Sequence, residues 1–176
     1  MTVNSSYIVK ICVLGEANVG KTSLVYRFIE KNFRGNYKST LGVNLLKKDL
    51  NIKEFGDVSA QIWDLGGQES FKALRKLYLE GANGALIIYD CTKRSSYDKL
   101  EDWILDFKDA RGDQPLLLLG NKTDLKNAIK VQESEGVKLA KRYNMEFMPT
   151  SAKTGSNVES AFMEIINKIL AKNLDS

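Results

Sequence analysis

The chain has 176 residues, with 26 lysines and arginines against 22 aspartates and glutamates, for a formal net charge of +4. That length suits one domain with a sizeable core, and basic and acidic residues interleave throughout, so the concentrated basic stripe of a nucleic-acid binder is missing. Histidine is absent, which excludes imidazole acid–base catalysis and histidine metal ligation; no signal peptide or membrane-length apolar run is visible, and the expected address is cytoplasmic.

In chain order, YIVKICVL (7–14) is short and nearly continuously apolar, as a strand buried on both faces should be. Its Cys12, like Cys91 further on, reads as a buried thiol in a reducing compartment. A helix follows with Leu24, Val25, Phe28 and Ile29 on its apolar face. VNLLKKDLNIKEFGDVSAQIWD contains two strand-like arms about the turn signal EFGD. GALIIYD (84–90) and PLLLLG (115–120) are further buried strands, and EFMPTS (146–151) is another candidate. Leu100, Trp103, Ile104 and Phe107 follow the i, i+3, i+4, i+7 rule of a one-sided helix. So do Val158, Ala161, Phe162, Ile165, Ile166 and Ile169, with Ser156 and Glu159 spaced as a capping box at their start. Strands alternating with helices predict an α/β fold with a largely parallel sheet, to which the hairpin adds one antiparallel edge strand. Without a linker, repeat or low-complexity tract, residues 1–176 are expected to form a single domain.

Ligands of such folds sit at the carboxyl ends of the strands. GEANVGKT (15–22) matches G-x-x-x-x-G-K-[ST] between a predicted strand and a predicted helix. Gly15 and Gly20 let the backbone fold tightly, so that N–H groups through Asn18, Val19 and Ser23 can face phosphate oxygens at a helix N-terminus. Lys21 would supply charge to the β- and γ-phosphates, and Thr22 a hydroxyl for Mg²⁺. In QIWDLGGQES, Asp64 ends a strand arm where a carboxylate would hold Mg²⁺; Gly67 could offer an N–H to a γ-phosphate, and Gln68 an amide to an attacking water. Asn121, Lys122, Thr123 and Asp124 follow the most apolar strand. The Asp124 carboxylate could accept from the two adjacent donors of guanine, N1–H and N2–H₂, which adenine lacks. TSAK (150–153) follows the last strand, and its backbone N–H groups could meet the guanine carbonyl.

In order and spacing, GEANVGKT, the Thr40 of YKSTLGVN, WDLGGQE, NKTD and SAK resemble the motifs of the Ras superfamily of small GTPases, closest to its Rab branch, over roughly residues 7 to 172. The resemblance implies a P-loop NTPase fold, a six-stranded, mostly parallel sheet flanked by helices. It further implies that Thr40 lies in switch I, ligating Mg²⁺ and contacting the γ-phosphate, and that Phe33 packs against the guanine edge. Lys122 and Lys153 would flank base or ribose beside Asn121, Ser151 and Ala152, and Gly67 would anchor switch II. Gln68, Lys21 and Thr40 would then act at the reacting phosphate, with Thr22, Thr40 and Asp64 at the metal. The implied activity is slow, Mg²⁺-dependent hydrolysis of GTP to GDP by a monomer that serves effectors, an exchange factor and an activating protein. No arginine is obviously placed to act in cis, so a partner is expected to supply one. The strand GVNLLKKDLNI would meet effectors.

Several positions depart from the family pattern. Leu65-Gly66 replaces the usual Thr-Ala before the switch II glycine, and this Arf-like double glycine should loosen the loop. Ala17 stands where Ras proteins carry glycine, and KLYLEGA (76–82) replaces the paired aromatics and arginine of Rabs. INKILAKNLDS holds no cysteine for prenylation, and Thr2 after Met1 cannot accept a myristoyl group, so membrane anchoring is not encoded in these residues: either a lipidated tail has been trimmed or the protein works without a lipid. Two rival readings stay open: a nucleotide-locked scaffold with negligible hydrolysis, and a P-loop ATPase or nucleotide kinase, which could not easily use NKTD.

Overall fold

The computed structural model describes residues 6–31 and 42–175. Among these, six strands form one sheet: β1 (Tyr7–Leu14), β2 (Val43–Ile52), β3 (Gly56–Leu65), β4 (Gly84–Asp90), β5 (Leu116–Asn121) and β6 (Glu146–Pro149). Their spatial order is β2-β3-β1-β4-β5-β6, with β2 antiparallel to β3 at the edge and all other pairs parallel. The helices are α1 (Lys21–Glu30), α2 (Lys72–Leu79), α3 (Arg94–Asp98), α4 (Leu100–Arg111), α5 (Glu133–Arg142) and α6 (Val158–Leu174). This is the predicted α/β architecture of a P-loop NTPase.

The near-continuous apolar runs follow from burial on both faces. Along β1, Val9, Ile11 and Val13 join a core formed with α1 and α6, whereas Cys12 and Leu14 join a second core against α4. β4 alternates likewise, Leu86 and Ile88 to one layer and Ala85, Ile87 and Tyr89 to the other. In the first layer Phe28 of α1 stacks on Phe162 of α6, with centroids 4.3 Å apart. The edge strand β2 instead alternates between half-buried and exposed, and its outward Lys47 blunts the open edge against pairing with another chain.

Two expectations are corrected. Ser156 and Glu159 do not form a capping box: Asn157, at φ 58°, occupies the N-cap of α6 and no side chain caps that helix. The capping box of this fold lies at α5, where the Gln132 side chain accepts from the backbone of Glu135 and Glu135 Oε2 accepts from Gln132 N at 2.9 Å. The second correction concerns the double glycine, which is held tight. Gly66 N donates to Gly42 O at 2.7 Å, and both Gly66 and Gly67 are buried.

The parallel register aligns the strand ends. Val13 lies beside Asp64, Asp90 beside Asn121, and Gly120 beside Pro149. The loops that leave β1, β3, β4, β5 and β6 therefore emerge along one rim.

Candidate functional site

At that rim the first loop runs from Gly15 to Gly20 into α1. Both glycines are required by geometry. Gly15 has φ 145° and a Cβ there would lie 2.2 Å from Ile88 O; Gly20 has φ 98° and its Cβ would lie 2.4 Å from Asn121 Nδ2. Gly20 occupies the N-cap of α1 without any side-chain cap, which leaves the N-terminal end of that helix to a ligand. Lys21, 5 % exposed, curls back and donates to Gly15 O at 2.9 Å and Glu16 O at 2.7 Å. Burial, the largest cause, lowers its ammonium to about 8 against the pull of Asp64 and Glu16. A phosphate placed at the loop would favour the charged form again.

Thr22 Oγ1 donates to Asp64 Oδ2 at 2.5 Å. This pair joins the start of α1 to the end of β3 and is the arrangement expected of metal ligands. A hydroxyl beside one fully buried carboxylate is a hard-oxygen donor set, which fits Mg²⁺ held by one or two protein oxygens and completed by phosphate and water. Among the described residues no group of three or more histidine, cysteine, aspartate or glutamate side chains forms a protein-only metal cage. Gly67 lies directly on the phosphate loop, since a Cβ on it would come within 2.3 Å of Ala17 N and 2.5 Å of Gly15 O. Beside it, Gln68 Oε1 is buried without a hydrogen-bond partner.

The loop after β5 is tied to the loop after β1 through Asn121, which is 1 % exposed. Its Nδ2 donates to Val19 O at 3.0 Å, and its Oδ1 accepts from Thr150 Oγ1 at 3.1 Å. Lys122, at φ 68°, donates to Asn18 O at 2.9 Å and pairs with Asp90 Oδ2 at 3.0 Å. Ser151 Oγ donates to Asp124 Oδ1 at 2.7 Å, which orients one carboxylate oxygen. Ala152 is buried while the Lys153 side chain is exposed; behind them Arg27 of α1 donates to Lys153 O at 3.4 Å and Thr154 O at 3.2 Å. Ser23 stands in the first turn of α1, half-buried.

The fold thus gathers Gly15, Asn18, Val19, Gly20, Lys21, Thr22, Ser23, Asp64, Gly67, Gln68, Asn121, Lys122, Asp124, Ser151, Ala152 and Lys153 in loops and element ends along one rim. Phe33 and Thr40 lie outside the described residues. Sequence reasoning missed four residues that frame the site: Asp90, Glu16, Trp103 and Arg75. Trp103 Nε1 donates to Glu16 Oε1 at 2.9 Å, and the Arg75 guanidinium lies 3.5 Å from the centroid of the Trp103 indole. The available signal was an arginine spaced i, i+4 from Leu79, on the face that α2 buries.

The family model described as Ras matches residues 10–171. The chain is similar to the Ras-related protein RABA6a of Arabidopsis thaliana, at 39 % identity over 166 residues, 93 % of this chain and 70 % of that protein. The Ras-related protein RIC2 of Oryza sativa subsp. japonica is 38 % identical over 164 residues, 93 % and 75 % of the two chains. Rab-13 of Canis lupus familiaris is 36 % identical over 168 residues, 95 % and 82 %. The matched span reaches all six strands and the rim loops described above, and the chain belongs to the Ras family as a Rab-like small GTPase, a GTP hydrolase.

Proposed function

We propose that residues 1–176 act as a single-domain, Mg²⁺-dependent switch in trafficking or signalling, recruiting effectors when GTP is bound and hydrolysing that GTP slowly. Thr22 and Asp64, with Thr40, would hold Mg²⁺, which when bound neutralises charge on the phosphates. Lys21 adds a second positive charge at the β- and γ-phosphates. Gln68 orients the attacking water with an amide able to accept and donate, and Gly67 offers its N–H to the γ-phosphate. Asp124 reads guanine, with Phe33, Lys122 and Lys153 around base and ribose and the backbone of Ser151 and Ala152 at the carbonyl. Loss of the γ-phosphate releases the segments around Thr40 and Gly67. An activating protein supplies an arginine, an exchange factor opens the site, and β2 with the switches meets effectors. The protein is a cytoplasmic monomer; no described helix is long and apolar enough to cross a membrane.

The observation that carries this reading is the junction at Asn121, whose amide joins the phosphate loop at Val19 to the last loop at Thr150. The junction supports this reading because it sets the two loops side by side, where one molecule can lay its base on one and its phosphates on the other. The test is competition binding with GDP, ADP and xanthosine diphosphate. Wild type should select GDP, whereas Asp124→Asn, which offers a donor to the extra carbonyl of xanthine, should gain xanthosine diphosphate and lose GDP. Displacement of guanine nucleotide by equal ADP would refute the assignment of the base.

A further inference from the structure

The segment that carries Gln68 is held at both ends against the phosphate loop. At its start, Gly67 lies on the backbone of Gly15, Glu16 and Ala17. At its far end the connection is indirect. Arg75 of α2 is only 7 % exposed, stacks on the Trp103 indole at 3.5 Å and pairs with Asp106 Oδ2 at 2.5 Å, both on α4. Trp103, 1 % exposed, passes the connection on by donating Nε1 to the Glu16 carboxylate at 2.9 Å. Glu16 sits inside the phosphate loop, and Lys21 donates to its carbonyl at 2.7 Å.

A buried guanidinium keeps its charge, so it holds its place only where its partners replace water. Here the indole face and the Asp106 carboxylate do so together, and a desolvated cation over an indole is the strongest form of that contact. Arginine suits this position because its planar group can stack and donate at once, which a lysine ammonium cannot. On α2, Leu74 and Leu77 are exposed, Leu79 is buried and Tyr78 packs half-buried beside Trp63, and Arg75 adds the polar contact that joins α2 to α4.

We infer that Arg75 is a positioning residue for GTP turnover: through Trp103 and Glu16 it fixes the switch II helix to the phosphate loop, leaving residues 68–71 between the two attachments to rearrange around the γ-phosphate. Arg75 is thereby committed to α4 and does not serve as an arginine acting in cis. The inference rests on the guanine-nucleotide reading above.

The experiment is a double-mutant cycle on the 176-residue protein, with Arg75→Met and Trp103→Phe alone and combined. Arg75→Met keeps most of the volume, and Trp103→Phe keeps a ring while removing the bond to Glu16. Release of a fluorescent GDP and single-turnover GTP hydrolysis are followed with Mg²⁺ present, beside thermal unfolding. Each single change should speed release and slow hydrolysis by about three- to tenfold, and the double mutant should do little more than the stronger single. Arg75→Lys, which keeps the charge and loses the planar stack, should fall between Met and wild type. Effects that multiply, or melting temperatures that drop while both rates hold, would overturn the inference. Nucleotide released from denatured wild type separates the two levels. If no guanine nucleotide is found, the parent reading and this inference fall together; if it is found and the effects multiply, only the inference falls.

Discussion

Gln68 shows how one residue can be poorly satisfied for a reason. Its buried Oε1 has no hydrogen-bond partner, and such an atom costs about 1–3 kcal/mol relative to one that is paired. Gln68→Leu should therefore leave the nucleotide-free protein as stable as wild type or more so by up to about 1 kcal/mol, while GTP hydrolysis falls at least about tenfold, equivalent to about 1.4 kcal/mol of barrier. Urea unfolding and single-turnover hydrolysis would read the two effects separately; an unchanged rate removes the water-positioning role and favours the locked scaffold. Gly20 is constrained from two directions, by φ 98° and by Asn121 Nδ2 at 2.4 Å from a would-be Cβ. Gly20→Ala should cost at least about 1–2 kcal/mol and weaken GDP binding, because the clash displaces the amide that joins the two loops. Calorimetric titration with GDP checks this.

Among the elements, capping shows where local pattern and tertiary packing part. Ser156 and Glu159 have the spacing of a capping box, yet the chain reaches α6 through left-handed Asn157, whose Nδ2 donates to Pro149 O at 2.8 Å. A β6 carbonyl, not a helix cap, claims the side chain at that turn. Ser156→Ala should thus stay within about 0.5 kcal/mol of wild type, as surface substitutions do. Glu135→Ala should destabilise more than Ser156→Ala does, because Glu135 closes the box at α5 and also pairs with Arg94 at 2.7 Å. Chemical denaturation of both variants decides; equal losses would restore the box at α6. The second helix teaches the same point. α2 is short and carries a buried arginine on its inward face, and only the presence of Trp103 and Asp106 across from it explains why.

For the whole molecule, burial of two thiols makes alkali a specific stress. Burial pushes Cys12 up to about 12 and Cys91 up to about 11, from 9.0, and raises the Tyr89 phenol as well. In the unfolded chain these thiols lose their protons near pH 9, while the folded chain keeps them. Their contribution is therefore whole below pH 9 and declines as pH rises through the folded values. Lys21 acts in the opposite sense above about 8, so the informative comparison is between variants. Relative to Cys12→Ala, wild type should lose up to about 1.4 kcal/mol of stability per pH unit between 9 and 12. Urea midpoints at pH 8, 9 and 10 would show it, and parallel pH profiles for the two proteins would contradict it.

Much of this protein was legible in one dimension. The strands β1 and β4, the hairpin of β2 and β3, the phosphate loop and NKTD all depend on neighbours within a few residues: glycines at strained turns, apolar runs buried on both faces, a lysine and threonine at a helix start. The sequence by itself therefore determined the fold class and the family. Tertiary structure alone decided which side chains brace that chemistry. Asn121 meets Val19, Ser151 meets Asp124, and Arg75 reaches Glu16 through Trp103, each across a long stretch of chain. It also decided that Gly66 and Gly67 are clamped where their composition suggests slack. The physical reason is the same in every case. Turn and strand preferences are local energies, whereas a buried polar partner is chosen by whichever surface the packed sheet brings against it.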